Sequence, residues 1–477
     1  MGQEKILKNI ENMTISAKEK ISQCKNILIV GHLDADGISS TSIAKKMFEH
    51  AGHNTDYLIV KQLDSITIKK AEEYKKDLTV FVDLGSGQLD KISNYIEDNK
   101  IMVLDHHQPS KKEHPNILLH LNAHLLGMDG SREISGSGMC YLFSRYYLEK
   151  DEKLQKELEK IAIIGMMGDM QLRDGAVGMN KQILEWAKDN NVVAIKKDIC
   201  YFGKQTRPIF KLLEYATDPI IPTISFNHEN TKAFICSYIN PRDNDNFWKR
   251  WIDLKNEEAQ KITGGLIKLF LENNNGNANF ALKQLFCDTY QFLDEAKGTE
   301  FRDVMEFSTV LNACGRHDKW KDGVELIIGN RDNLPTITTL LENHRRCLAN
   351  SIDIIKKAKI KRMNNIQVFF AGDTIKSTII GTVAGMALGA RILDRSIPVL
   401  AVSNDPEDSS FSKISGRGTK KMIFRGLRLN DAMNLSEKFG GEGGGHDIAA
   451  GCRIPNEKMD EFLEAVDKGI GEQMKNG

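Results

Sequence analysis

The sequence predicts an α/β protein: an N-terminal domain built on a parallel sheet with helices on both faces, a smaller α/β domain at the far end, and a mainly helical segment between them. Three short runs in the first quarter, "NILIVGHLDAD" (26–36), "LTVFVDLGSG" (78–87) and "KIMVLDHHQPS" (100–110), are β-branched and continuously apolar rather than alternating. Such runs are strands covered on both faces, as parallel sheets require. The stretches between them, "GISSTSIAKKMFEHAG" and "LDKISNYIEDN", are helix-like, so strand and helix alternate. From about residue 365 a second unit of the same kind begins.

Each of the three runs ends in acidic or imidazole side chains. In parallel sheets ligands gather beyond the carboxyl ends of the strands, so all three clusters are expected at one edge. "LQKELEKIAIIGMMGDMQLRD" (154–174) reads as a helix whose apolar face ends near Asp169 and returns it to that edge. From 215 to 330 the pattern is mostly helical, with a polar break at "ENNNGNANF". The second unit then runs through the strand "IQVFFAGD", the helix "STIIGTVAGMALGARIL", the strand "IPVLAVSND", the segments "KISGRGTKKMIFRGLR" and "KFGGEGGGHDIAAGCRI", and a closing helix "NEKMDEFLEAVDKGI". The expected domains are 1–215, 216–330 and 331–477, with no internal repeat.

A chain of 477 residues accommodates two or three domains, each with its own core. Lysine plus arginine and aspartate plus glutamate both number 65, so any polyanion must be held by a local patch. The eight cysteines are scattered without a C-x-x-C pair, which excludes a zinc ribbon and a disulfide scaffold and predicts reduced thiols. "MGQEKILKNIENM" is charged and helix-like rather than a signal peptide, and "TIIGTVAGMALGA" is too short to cross a bilayer. The sequence therefore predicts a cytoplasmic protein with no membrane partner.

His32, Asp34, Asp36, Asp83, His106 and Asp169 form the candidate metal constellation. Four carboxylates and two neutral imidazoles carry a formal charge of minus four, which two divalent cations cancel. Carboxylates suit Mg²⁺ and Mn²⁺, and imidazoles move the preference toward Mn²⁺ or another transition metal such as Co²⁺. A pair of such ions activates water and clamps both oxygens of an in-line phosphoryl displacement. Taken singly the residues say less, because H-x-D-x-D is also a solvated turn and an aspartate at a strand end also caps helices. It is the arrival of ligand-type residues from three successive strands that points to metal.

"GHLDADG", "FVDLG", "LDHH" and "GMMGD", in this order, resemble the four motifs of the DHH phosphoesterases, and "GGEGGGH" resembles the signature of the associated DHHA1 domain. Length and the long middle segment are most similar to the archaeal RecJ-like single-strand exonucleases of the GINS-associated type. The resemblance implies one ion held by His32, Asp34 and Asp83, and another held by Asp36, Asp83, His106 and Asp169, with Asp83 bridging. It further implies that Asp105 orients its neighbours, that His107 contacts the scissile phosphate, and that Asp36, Asp105 and His107 belong to the catalytic set. Single-stranded nucleic acid is the implied substrate and the GINS replication complex the implied partner.

Gly443, Gly444, Gly445 and His446 in "GGEGGGH" are the expected phosphate grip, since glycines let backbone N–H groups approach an anion and the histidine adds a donor. On its own such a run also suits a flexible loop. The resemblance sets this motif across a cleft from the metals. Lys413, Arg417, Lys420, Lys421, Arg425 and Arg428 stand together without an acidic residue, which suits phosphate contacts or a solvated basic face. "SGRGT" resembles a family substrate-binding motif, which selects Ser415 and Arg417. "FSTVLNACGRHD" resembles another family segment, which places Asn312 and Arg316 against nucleic acid; its other residues read as a helix ending at Gly315. In "DNFWKRW" the aromatic residues read as packing rather than base stacking.

The resulting expectation is a two-metal exonuclease on single-stranded DNA or RNA. One rival is hydrolysis of small substrates such as short oligonucleotides, cyclic dinucleotides or pyrophosphate. Another is a replication scaffold without catalysis, against which the complete ligand set counts. Asp36→Ala separates the classes, because a scaffold keeps its function and an enzyme loses its chemistry.

Overall fold

The structure is a computed structural model that describes residues 2–110, 117–273 and 276–475. Met1, and Asn274 and Asn275 of the polar break, lie outside the described residues. The chain forms two compact units: Met1–Glu214 with His228–Leu340, and Tyr215–Asn227 with Leu341–Gly477. The middle of the sequence is thus divided between them rather than standing alone.

The first unit opens with α1 (Gln3–Ser22), then β1 (Asn26–His32), α2 (Ala35–His50), β2 (Asn54–Val60), β3 (Leu78–Val82), β4 (Ile101–Asp105) and β5 (Leu119–Asn122). The five strands are all parallel, in the order β2-β1-β3-β4-β5. Leu28, Val30, Phe81 and Val103 point to one face, where Ile68, Leu89 and Ile92 from short helices cover them. Ile29, Val80, Val82, Met102 and Leu104 are equally buried on the other. That face is packed by α2 and α3 (Gly136–Tyr147), and α4 (Glu152–Gly168) packs on those two helices. Continuous apolar strands are the sequence expression of this double coverage. "LDKISNYIEDN" is the exception: only Leu89–Ile92 is α-helical, and Ser93 and Asn94 follow in a turn. Small polar residues of that kind offer the backbone local hydrogen bonds that compete with a helix.

Two strands come from outside the sheet. β6 (Val193–Ile199) pairs antiparallel with β7 (Phe286–Phe292), drawing the middle segment back onto the first unit. After β7, α5 (Val304–Arg316) begins where the Asp303 carboxylate accepts the Met305 and Glu306 N–H groups.

In the second unit, β8 (Lys361–Arg362), β9 (Gln367–Gly372), α6 (Ser377–Gly389), β10 (Val399–Asn404), β11 (Phe411–Arg417), α7 (Lys420–Ile423), β12 (Glu442–Gly445), β13 (Ala449–Pro455) and α8 (Met459–Lys475) follow in order. They build a mixed sheet of order β12-β13-β11-β10-β9-β8. α6 covers one face through Ile380, Val383 and Ala387, and Phe462, Leu463 and Val466 of α8 cover the other. The glycine-rich run is strand β12, hydrogen-bonded to β13, rather than a loop. Its glycines have a packing reason: a Cβ at Gly443 would meet the Met433 carbonyl, and Gly445 sits at φ +137°. All eight cysteines are free. Among the described residues no helix is long and apolar enough to cross a membrane.

Candidate metal centre

The carboxyl ends of β1, β3 and β4 lie side by side in register, so His32, Asp83 and Asp105 emerge at one edge. The chain turns from β1 into α2 through Asp34, whose Oδ1 accepts the Gly37 N–H at 2.9 Å and caps the helix. Asp36 follows inside the first turn and is fully buried. Its Oδ2 and Oδ1 accept the N–H groups of Gly136 (2.7 Å) and Ser137 (3.0 Å) at the start of α3. The positive end of that helix favours the carboxylate there. Asp169 arrives at the C-terminal end of α4.

Candidate ligand atoms of His32, Asp34 and Asp83 lie within 4.8 Å of one another, as do those of Asp36, His106 and Asp169. His106 joins the two groups. Its Nε2 is 3.1 Å from Asp83 Oδ1, 3.3 Å from Asp169 Oδ2 and 3.9 Å from Asp36 Oδ2. On the other side of the ring, Nδ1–H donates to the Gly130 carbonyl at 2.6 Å. A carbonyl only accepts, so Nδ1 carries a proton and Nε2 is the nitrogen directed at the carboxylates. Gln171 donates to the same carbonyl, which fixes the acceptor.

The donor set fits a divalent cation. Asp83 Oδ1 and Asp169 Oδ2 are buried 3.1 and 3.3 Å from His106 Nε2, and among the described residues no other side-chain or backbone donor satisfies them. Burial first, and then the charge of Asp36, push the Asp83 and Asp169 carboxyls well above the usual carboxylate range. Burial lowers the His106 imidazole, but the Asp83 contact and the charges of Asp169, Asp83 and Asp36 outweigh it and raise the group well above its ordinary value. Such a cluster holds protons when empty and exchanges them for metal.

Asp105 is occupied differently. Its Oδ1 accepts the His106 N–H (2.7 Å), the His107 N–H (3.1 Å) and His107 Nδ1–H (2.9 Å), while Oδ2 accepts the Ser86 N–H (3.0 Å). Burial opposes its ionisation, but the His107 charge and hydrogen bond hold it well below the usual range. His107 is half-exposed beside it.

Sequence reasoning missed the small residues that make room for this cluster. A Cβ on Gly136 would strike the Asp83 side chain and crowd Asp36. The only signal was the short "SGSG" at 135–138, indistinguishable in sequence from a loop. Asn122 was also missed; it donates to Ser86 Oγ and the His107 carbonyl and braces the turn after β4.

Asn312 and Arg316 of α5 stand beside the centre. Asn312 Oδ1 accepts the Ala35 N–H at 3.1 Å, between Asp34 and Asp36. Burial lowers the Arg316 guanidinium, partly countered by the Asp34 carboxylate. Ser415 and Arg417 share one face of β11, and Arg417 lies over Gly381 of α6. Gly443, Gly444 and Gly445 form β12, with His446 in the turn that follows. Trp248 packs on Phe210 at 4.7 Å and Trp251 is buried, donating to Asp198, whereas Phe247 is 71% exposed.

A parallel sheet with an acidic, imidazole-bearing centre at its carboxyl edge, followed by a second mixed-sheet unit, is the architecture of an α/β phosphoesterase. Comparison with known proteins agrees: the DHH family N-terminal domain matches residues 26–166, the DHH-CID domain 201–285 and the DHHA1 domain 364–472. An uncharacterized protein of Methanocaldococcus jannaschii is 32% identical over 476 residues, covering 98% of this chain and 99% of its own. The chain belongs to the DHH/DHHA1 phosphoesterase family. Its fold is similar to Thermus thermophilus RecJ in complex with Mn²⁺ (TM-score 0.56, 16% identity, 97% of this chain and 55% of that one). It is also similar to CDC45 of Entamoeba histolytica (TM-score 0.61, 12% identity, 99% of each chain).

Proposed function

We propose that the protein is a metal-dependent exonuclease that hydrolyses phosphodiester bonds of single-stranded DNA or RNA with two divalent cations, Mn²⁺ foremost. The observation that carries this reading is the convergence of His32, Asp34 and Asp83 in one group and of Asp36, His106 and Asp169 in another, joined where His106 Nε2 lies 3.1 Å from the buried Asp83 Oδ1. Bound there, the ions supply an activated water and neutralise charge on the scissile phosphate. His32, Asp34 and Asp83 hold one; Asp36, Asp83, His106 and Asp169 hold the other.

The remaining groups serve the substrate. Asp105 holds His107 through Nδ1, so Nε2 is the nitrogen that meets a phosphate oxygen. Asn312 keeps the loop from Asp34 to Asp36 in place, and Arg316 adds a cation beside it. Ser415, Arg417, Gly443, Gly444, Gly445 and His446 grip the phosphate backbone in the second unit. The proposed partner, by resemblance, is the GINS replication complex, tested by co-purification of the two.

The deciding assay offers purified protein with Mn²⁺ end-labelled single strands of both sugar types, a duplex, dinucleotides and pyrophosphate. A ladder of products from single strands is the expected result, and Asp36→Ala should abolish it. Turnover of dinucleotides or pyrophosphate alone would refute the exonuclease reading.

A further inference from the structure

Phe424 is the most exposed large apolar side chain among the described residues, at 87%. The turn that carries it is firmly built. Thr419 caps α7, the Phe424 N–H donates to the Lys420 carbonyl at 3.1 Å, and the Leu427 N–H donates to that of Met422 at 3.0 Å. Gly426, at φ +90°, lets the chain double back. Met422 and Leu427 on either side are buried in the core of the second unit. Two buried anchors therefore hold the ring out in water.

Its surroundings are cationic. Lys420, Lys421, Arg425 and Arg428 lie within four residues of it, and no acidic residue occurs between Asp408 and Asp431. Asp431 and Asp447 adjoin Arg428, which leaves Lys420, Lys421 and Arg425 as the electropositive side. The turn also borders the expected phosphate grip. β11 ends at Arg417, which is in register with Ala449, and the next N–H, of Gly418, donates to the Ile448 carbonyl at 2.9 Å. The Phe424 turn, Arg417 and the hairpin bearing His446 thus occupy one edge of one sheet.

We propose that Phe424 is a base-stacking residue for single-stranded nucleic acid, with Lys420, Lys421 and Arg425 holding the phosphates on either side of the stacked base. The proposal rests on the exonuclease reading and extends it: the second unit engages a nucleotide by its base as well as its backbone. A flat π-face carried on a polyanion matches an apolar ring set among cations. A protein partner is the poorer match, since lysine is depleted at protein–protein interfaces. Stacking of this kind is indifferent to sequence but requires a base.

The test is equilibrium binding by fluorescence anisotropy, with Ca²⁺ as the only divalent ion. Labelled single strands, intact and abasic, are compared at equal length. Phe424→Ala and Phe424→Leu should each weaken binding of the intact strand roughly tenfold and leave the abasic strand unchanged, while Phe424→Trp retains the native affinity. If the native chain binds the intact strand and F424A binds it equally well, stacking is refuted while the exonuclease reading stands, and the ring is left for a protein partner. If the native chain binds neither strand, both are refuted.

Discussion

Asp83 occupies the left-handed region of the backbone, at φ +59°, which costs a side-chain-bearing residue about 1–2 kcal/mol. Asparagine and aspartate tolerate that conformation best, so Asp83→Asn preserves the backbone while removing one ionisable group from a cluster of buried carboxyls. Without metal the variant should melt at or above the native temperature, because its amide is neutral at every pH where burial obliges the Asp83 carboxyl to take up a proton. With Mn²⁺ the order should reverse. A hundredfold excess over Kd stabilises the native chain by about 2.7 kcal/mol, and the variant should gain little and lose at least ~100-fold in phosphodiester hydrolysis. A variant still stabilised by Mn²⁺ as strongly as the native chain would remove Asp83 from the centre.

Among the elements, α5 shows how distant packing supports the site. Its C-terminal half braces the loop after β1 through Asn312, and its N-terminal end is fastened by Glu306, whose carboxylate accepts Gln205 N–H and Thr206 Oγ–H. Burial, then the charge of Asp303, push the Glu306 carboxyl up to about 7. Its folded value lies above the ordinary 4.5, so the stability it contributes is complete below that value and is lost as pH rises through about 7. Unfolding free energies of the native chain, from urea titrations, should therefore fall relative to those of Glu306→Gln between about pH 5 and pH 8, by up to roughly 3 kcal/mol. Parallel pH curves would show that Glu306 titrates normally. The role of α5 was only half legible in the sequence: "FSTVLNACGRHD" marked Asn312 and Arg316 for nucleic acid, yet the Asn312 bond to Ala35 spans 277 residues and has no local signature. β12 was hidden for a related reason. Glycine carries little strand propensity, and "EGGG" (442–445) became a strand through its pairing with β13.

At the scale of the whole molecule, two units with separate cores carry groups of opposite charge: one gathers the acidic centre, the other the basic run from Lys413 to Arg428. Adding Mn²⁺ to the metal-free chain should slow amide hydrogen exchange around Asp83, His106, Gly136 and Asp169, while Phe411–Pro455 remains unchanged. Equal slowing in both regions would show that the ion is not confined to the first unit. The sequence by itself determined the alternation of strands and helices, the parallel character of the first sheet and the identity of the six candidate ligands. Continuous apolar runs and strand-end carboxylates are local patterns, readable without coordinates. What only the tertiary structure decided was which oxygens stay unsatisfied, which backbone N–H groups hold Asp36, and how the second sheet recruits its glycine-rich edge. Those outcomes depend on residues many positions apart meeting within hydrogen-bond distance, and no window of sequence contains both partners.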